Sequence, residues 1–415
     1  MGYEKDRQIR EWDQGWSLTD TTVCHRCLSD SYLREMAKDN ASEHECSYCE
    51  RVSRKDPIAI PFDELMGVIG EAVFQYYDHC ENEAIAWDRE DEQYVGTTYQ
   101  TYELVHWEIP TPSDREDVLD DIVDSLGDNV WCDKNPYSLT GAERIFSSWE
   151  DFCNTVKHDT RYFFDSTKTD EWSEKIPVPA MLDELRDIIA EAGLIGAIPV
   201  GTQFYRVRPH KRSEPSDSWE TLGSPPPQRA VSNRMSAAGI SVFYAGLDLA
   251  TARAETTANL LPTDRRRLTA GMWTNTRPLN ILDLTKLPIV PSFYARVRYE
   301  RDHLIFLQQF VEDITKPVTH DGREHIDYVP TQVLTEYFRH QYKLPDKARL
   351  DGIVYPSAQR KRGKSIVIFA SHADLDPRTD AFFNTKPPPP RTRSRHNSKS
   401  PKAAPRSQVG VAEFI

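Results

Sequence analysis

The sequence predicts an α+β protein, and three observations carry that prediction. Two Cys-x2-Cys pairs stand near the N-terminus with 18 residues between them. Between residues 59 and 196, apolar residues recur at three- and four-residue spacing, the period of a helix face. From 197 to 375, short β-branched and aromatic runs alternate with further amphipathic stretches. The expected organisation is a zinc-ribbon-like segment over 1–58, a helical domain over 59–175, a mixed domain over 176–375 and a disordered basic tail over 376–415.

Composition bounds the function. At 415 residues the chain exceeds one typical domain, and 39% hydrophobic residues suffice for sizeable cores. A formal charge of −14 argues against a protein that coats nucleic acid, because phosphate attraction needs clustered Lys and Arg. No run approaches the roughly 18 apolar residues of a membrane span. Met1–Arg7 has no apolar signal core, and Asp6 breaks the myristoylation pattern that Met1-Gly2 begins. The expectation is a soluble cytoplasmic protein with no membrane partner. Seven cysteines, four of them in pairs, fit a reducing compartment better than a disulfide framework.

Taken in order, residues 1–20 are polar and read as a loose start with one helical turn. Cys24-x2-Cys27 and Cys46-x2-Cys49 follow. Each such turn aims two thiolates at one ion, and two turns complete a tetrahedral Zn²⁺ shell. Four protein ligands leave no position for water, so the ion is expected to be structural. His25 and His44 are alternative ligands, and four reduced cysteines in a small core are the non-metal alternative. Glu43, Glu45 and Glu50 balance the nearby arginines, which argues against a DNA-binding finger.

The helical region begins at Pro61, with Phe62, Leu65, Met66, Ile69, Val73, Tyr76 and Tyr77 on one face. Ser113 and Glu116 have capping-box spacing before the stripe Val118, Leu119, Ile122, Val123 and Leu126, which Gly127 ends. The acidic run 114–124 reads as that helix's solvated face. Trp149, Phe152, Val156 and Tyr162 mark another helix. Cys80, Cys132 and Cys153 lack metal spacing and read as packed residues. Met181, Leu182, Leu185, Ile188 and Ile189 form the clearest amphipathic stripe, closing near Gly193.

In the mixed region, strands are expected at Gln203–Val207, Val242–Ala245, Met272–Thr274, Leu279–Leu284, Gly352–Tyr355 and Ser365–Ala370. Helices are expected at Leu247–Ala258, capped by Asp248, and at His303–Ile314 and Pro330–Tyr342. The Ser- and Pro-rich stretch from Pro209 to Arg229 reads as a loop and a candidate flap over a site. Pro387–Pro390 and the arginines after it have a composition that builds no core.

Arg206, Tyr244, Glu255 and Ser357 stand between apolar runs that would hold them rigidly. Taken singly, each has a structural alternative: a strand-edge ion pair, a core aromatic, a solvated helix residue and a turn residue. Their order and contexts change this reading. Phe204-Tyr205-Arg206-Val207-Arg208-Pro209, Asn233-Arg234-Met235-Ser236, Gly239-Ile240-Ser241-Val242-Phe243-Tyr244, Ala252-Arg253-Ala254-Glu255 and Asp351–Ser357 follow one another as they do in the RES domain family. About 180 residues resemble that family, which is named for its Arg, Glu and Ser. The cysteine-rich and helical front end resembles the N-terminal domain associated with HEPN and RES proteins. Ala237-Ala238 departs from the family pattern, which has a Pro nearby.

The resemblance implies an ADP-ribosyltransferase-like catalytic domain that consumes NAD⁺ as a toxin or defence effector. On that basis Glu255, Arg206 and Ser357 are the candidate catalytic residues. Arg206, Tyr244, Arg234 and Tyr205 are the candidate NAD⁺-binding residues, and Cys24, Cys27, Cys46 and Cys49 the candidate Zn²⁺ ligands. Chemistry supports the set. Pyrophosphate suits a guanidinium fork, and a carboxylate beside the ribose stabilises oxocarbenium charge. Tyr244 offers a flat face to nicotinamide, and Ser357 a hydroxyl to a ribose or phosphate.

The acceptor of ADP-ribose is open between water or phosphate and a protein. An HEPN-type RNase would need an Arg-x4–6-His pair in the helical region, but Arg298/His303 and Arg391/His396 both fall elsewhere. A zinc-dependent adaptor with a decayed RES-like part is the non-enzymatic alternative, and the intact Arg206, Tyr244, Glu255 and Ser357 argue against it. Candidate partners are an antitoxin or regulatory protein and a second copy of the chain.

Overall fold

The computed structural model describes residues 7, 9, 11, 14–83, 85–164, 173–211, 213–214, 218–258, 260, 267–317, 322–379, 382–384 and 411–414, with 384 and 411–414 by backbone alone. The chain divides into two compact units: Met1–Ala142 with Ile289–Ile305, and Glu143–Pro288 with Phe306–Ile415.

The first unit opens on two short strands. β1 (Thr22–Cys24) pairs antiparallel with β2 (Ala59–Pro61). Cys24 closes β1, and the 3₁₀ turn His25–Cys27 brings the first cysteine pair round. The helix Ser31–Asp39 follows, capped by Asp30, whose carboxylate accepts from the Tyr32 and Leu33 amides. A bridge between Glu45 and Val52 folds the second cysteine turn over.

The helix Phe62–Tyr76 buries Phe62, Leu65, Met66, Ile69 and Val73 of the predicted stripe; Tyr76 is half-buried at its end and Tyr77 falls in the strand that follows. The helix Glu116–Leu126 ends at Gly127 with φ +76°, a backbone that favours glycine. Its acidic face is largely solvated, although Asp121 accepts the Tyr48 hydroxyl at 2.6 Å.

The capping box does not form. Ser113 is buried, donates to the Cys27 carbonyl at 2.6 Å and accepts from the Arg115 amide, while Arg115 occupies the cap position. A long-range hydrogen bond wins over a local one here, and spacing alone does not reveal it. The sequence also missed a three-stranded sheet in this region. Its order is β3 (Tyr77–His79), β7 (Val130–Asp133), β6 (Tyr99–Gln100); a separate hairpin joins β4 (Trp87–Asp88) to β5 (Gln93–Tyr94). These strands are two to four residues long, too short to show a period.

The second unit is built on a nine-stranded sheet. Its path is β15 (Phe383–Asn384), β11 (Arg267–Asn275), β9 (Gln203–His210), β10 (Phe243–Gly246), β14 (Lys364–Ile368), β13 (Gly352–Pro356), β12 (Leu279–Asp283), β8 (Ile195–Ile198). β16 (Val411–Phe414) pairs with β11 as well. Only β12 and β13 run parallel; the other pairs are antiparallel. Phe204, Phe243, Trp273, Ile281, Val354 and Ile366 form the core of the sheet.

The helices Met181–Glu191, Leu249–Thr257 and Val329–His340 fall within a few residues of expectation. The helix Gly141–His158 carries Trp149, which meets Phe310 edge-on and donates to Asp313 at 3.1 Å. Tyr162 lies beyond that helix and is exposed, so the predicted stripe is one residue too long. Cys80 and Cys132 are buried as expected; Cys153 is half-buried.

The expected flap is partly packed structure. β9 runs through Pro209 to His210, Trp219–Leu222 forms a helical turn, and Leu222 and Ser224 are fully buried. The Ser224 hydroxyl donates to the Ala370 carbonyl at 2.9 Å. The Pro387–Pro390 run and the arginines after it lie outside the described residues.

Candidate active site

The site forms where β9, β10 and the helix Leu249–Thr257 meet. β10 passes almost directly into that helix. Asp248 caps it, accepting from the Thr251 amide at 2.9 Å. The turn needs glycine at 246, because a Cβ there would stand 2.7 Å from the Ala252 amide nitrogen and 2.8 Å from the Asp248 carbonyl oxygen. Thr256 then ties the helix to β9, its hydroxyl donating to the Val207 carbonyl at 3.1 Å.

Glu255, adjacent to that tether, is held on one oxygen. Ser357 donates to its Oε1 at 2.5 Å, and Ser365 donates to the same atom at 3.3 Å. Oε2 has no hydrogen-bond partner among the described residues.

The Ser357 hydroxyl is fully engaged. Its proton goes to Glu255, and its oxygen accepts from the amides of Gln359 (3.2 Å) and Arg360 (3.1 Å). Ser357 therefore orients the carboxylate instead of offering a free hydroxyl to the cleft. The loop carrying it is strapped to the same helix: Arg360 Nη1 donates to Asp248 Oδ1 at 2.8 Å and to Thr251 at 3.0 Å.

Arg206 projects from β9. Its guanidinium stacks 5.6 Å from the Phe243 ring centroid and donates to the Tyr244 carbonyl at 3.5 Å. Burial, then the charge of Arg208, lowers its pKa to about 10, still well above neutral. The Tyr244 hydroxyl bonds the Met235 amide at 3.0 Å and the Ser236 hydroxyl at 3.1 Å. Burial raises its pKa to about 12, so the ring stays a neutral phenol. The Tyr205 hydroxyl donates to Gln203.

Arg234 is differently employed. Its two Nη atoms donate to the carbonyls of Ile314 and Lys316 at 2.5 Å each, closing the C-terminus of the helix Arg298–Thr315. Gln332, which could have faced the site, instead donates from Nε2 to Ser232 and to the Asn233 carbonyl, both at 2.8 Å. It holds the loop that carries Arg234.

These elements enclose a cleft of about 450 Å³, within the range of small-molecule sites. Tyr205, Arg206, Tyr244 and Glu255 line it, joined by Tyr328, Tyr355 and Ser365. Among the described residues, its charged lining is Arg206, Arg229, Arg234 and Glu255. Three guanidiniums and one carboxylate thus make a positive cleft in a chain of net charge −14.

Sequence reasoning missed Ser365, Tyr355 and Arg229. Tyr355 and Ser365 are cross-strand partners on β13 and β14, a pairing legible only once the register is known.

The four paired cysteines also converge. Their sulfurs lie within 4.8 Å of one another; Cys24–Cys27 and Cys27–Cys46 are 3.8 Å apart and Cys24–Cys49 is 3.6 Å. A tetrahedral ion with bonds of about 2.3 Å needs sulfur separations of about 3.8 Å. The set therefore fits one metal ion. Burial raises the Cys46 thiol, but the Cys49, Tyr48 and Cys24 amides outweigh it and bring the group down to about 7, whereas burial pushes the Cys27 and Cys49 thiols up. His25 and His44 are not in the cluster; His44 bonds the Ser53 carbonyl.

Of the Arg-x4-His pairs, Arg298 donates to the Gln75 carbonyl at 2.6 Å and stacks on Tyr76. Arg391 and His396 lie outside the described residues.

Fold and sites define a chain with a cysteine-knuckle unit and an α+β sheet unit that carries an arginine-lined cleft. Residues 203–391 match the family model of the RES domain, and residues 39–170 match that of HEPN/RES N-terminal domain 1. The chain thus carries a RES domain behind a HEPN/RES N-terminal domain. RES domains are associated with NAD⁺-acting enzymes. No curated protein and no solved structure matches the chain. Among the described residues, no helix is long and apolar enough to cross a membrane.

Proposed function

We propose that this protein cleaves the nicotinamide–ribose bond of NAD⁺, as a glycohydrolase or phosphorylase acting as a toxin or defence effector. The observation that carries the reading is the charge pattern of the cleft: three arginines, one carboxylate fixed on one oxygen, and tyrosine walls. NAD⁺ presents the complement, an anionic pyrophosphate beside a flat cationic ring.

In this reading the bond between ribose C1′ and the nicotinamide nitrogen breaks, and its electron pair leaves with nicotinamide. Positive charge develops on the ribose, and the Glu255 carboxylate stabilises it. Oε1 is occupied by Ser357 and Ser365, so Oε2 is the oxygen that faces the ribose. Water or phosphate then bonds to C1′; with water, the products are nicotinamide, ADP-ribose and a proton. Arg206 supplies fixed positive charge, and Tyr244 a ring face for nicotinamide. Ser357 positions Glu255. Cys24, Cys27, Cys46 and Cys49 hold Zn²⁺ in a closed, structural site.

The acceptor is tested by incubating the full chain with NAD⁺ in phosphate-free buffer and in phosphate, then resolving the products by mass. ADP-ribose in both buffers identifies a glycohydrolase. A phosphorylated ADP-ribose appearing only with phosphate identifies a phosphorylase. ADP-ribose found only on added protein would replace this reading with protein ADP-ribosyltransfer, and intact NAD⁺ throughout would reject NAD⁺ cleavage.

A further inference from the structure

We propose that Arg229 is the phosphate-reading residue of the cleft, so that the site selects pyridine dinucleotides over ligands without phosphate. This inference rests on the NAD⁺ reading above and adds the residue that sets substrate class.

A pyrophosphate entering the cleft needs a cation whose donors are available. Of the three arginines that line it among the described residues, Arg234 is fully engaged and Arg206 only in part. Arg234 donates from both Nη atoms to the Ile314 and Lys316 carbonyls, and its guanidinium faces the Tyr328 ring at 5.6 Å. Moving it toward a ligand would strip the last carbonyls of a helix of their partner. Arg206 is half-buried, stacks on Phe243 and sets Nη1 3.5 Å from the Tyr244 carbonyl, which fixes its direction; its Nε and Nη2 have no hydrogen-bond partner among the described residues. Arg229 is different: it is exposed, it lines the same cleft, and its side chain has no hydrogen-bond or ion-pair partner among the described residues.

The backbone beneath Arg229 is rigid. It closes a 3₁₀ turn, Pro227–Arg229, that follows Pro225 and Pro226, so three consecutive φ angles are preset. Its amide donates to the Pro226 carbonyl at 2.8 Å. Ser241 pins the turn from outside, donating to the Pro225 carbonyl at 2.6 Å, and the Gly239 amide donates to the Ala230 carbonyl at 2.9 Å. Ala230, the next residue, is buried. A fixed main chain carrying an unengaged guanidinium keeps a cation at the cleft, with only the side-chain rotamers left for the ligand to order. The segment earlier read as a flap thus serves to hold one cation at the cleft.

The test measures discrimination between ligands with and without phosphate. Binding of ADP-ribose and of adenosine is titrated calorimetrically against wild type, Arg229→Ala and Arg229→Lys. Turnover of NAD⁺ and of nicotinamide riboside is measured on the same proteins, with melting curves to confirm folding.

In Arg229→Ala, the preference for ADP-ribose over adenosine should fall about tenfold, the value of one charge-assisted hydrogen bond. The ratio of kcat/KM for NAD⁺ to that for the riboside should fall alike, mainly through KM. Arg229→Lys should restore part of both ratios, because the charge returns without the fork. If wild type binds ADP-ribose and cleaves NAD⁺ while Arg229→Ala keeps both ratios, this inference alone is overturned. If wild type neither binds ADP-ribose nor cleaves NAD⁺, the NAD⁺ reading falls and this inference with it.

Discussion

Ser357 and Glu255 are expected to behave as one device, and a double-mutant cycle exposes this. Ser357→Ala removes the 2.5 Å donor on Glu255 Oε1 and leaves only Ser365 at 3.3 Å. A hydrogen bond to a charged group contributes about 1.5–3 kcal/mol. At 1.36 kcal/mol per tenfold, its loss should lower kcat roughly 10- to 100-fold. Glu255→Gln removes the charge itself and should cost on the order of 10²–10³ or more.

Ser357 acts only through Glu255 in this account. The double variant should therefore be no slower than Glu255→Gln, a coupling as large as the whole Ser357→Ala effect. The assay is initial-rate nicotinamide release by the three variants and wild type, at saturating NAD⁺ and matched folded fraction. Additive losses would refute the reasoning, because Ser357 would then contact the substrate independently of Glu255.

Three further outcomes follow from the same geometry. Gly246→Val should lower the melting temperature and depress turnover together, since its Cβ would meet backbone atoms at 2.7 and 2.8 Å at the start of the Glu255 helix; thermal melts beside rate measurements check both. Wild type should carry one zinc per chain by elemental analysis, and Cys24→Ser or a strong chelator should reduce that content and destabilise the first unit, because a structural metal contributes folding free energy directly. Arg206 has its pKa lowered to about 10, so its charge is present at neutral pH and is lost as pH rises through that value. NAD⁺ affinity should then be level near neutrality and fall on the alkaline side. The stability cost of burying this cation acts below pH 10 and is relieved above it, so the group itself favours folding as pH rises there.

The parts of the chain legible in sequence were those with a local signature. Paired cysteines announce a four-sulfur cluster because the turn geometry is encoded in four residues. The helix Phe62–Tyr76 shows its buried stripe directly, and Asp248 caps where a cap was expected. Arg206, Tyr244 and Glu255 could be named because ordered blocks around them resemble one family, and they line one cleft.

What escaped depends on contacts far apart in the chain. Ser113 satisfies Cys27, 86 residues away, and so abandons its capping box. Arg234 looked like a phosphate ligand, but its donors are taken by carbonyls 80 and 82 residues away. Ser365 reaches Glu255 across 110 residues. Arg229 was hidden inside a stretch that composition marks only as loop. Periodicity carries none of these, because each is fixed by sheet register and loop packing.

The measurement that tests the central claim most directly is free nicotinamide released from NAD⁺ by the purified full chain, run beside Glu255→Gln. Nicotinamide should appear in step with NAD⁺ loss in wild type, and release should drop by at least about a hundredfold in Glu255→Gln with its melting curve unchanged. Folded wild type that releases none at high concentration, or a Glu255→Gln variant as fast as wild type, would contradict it.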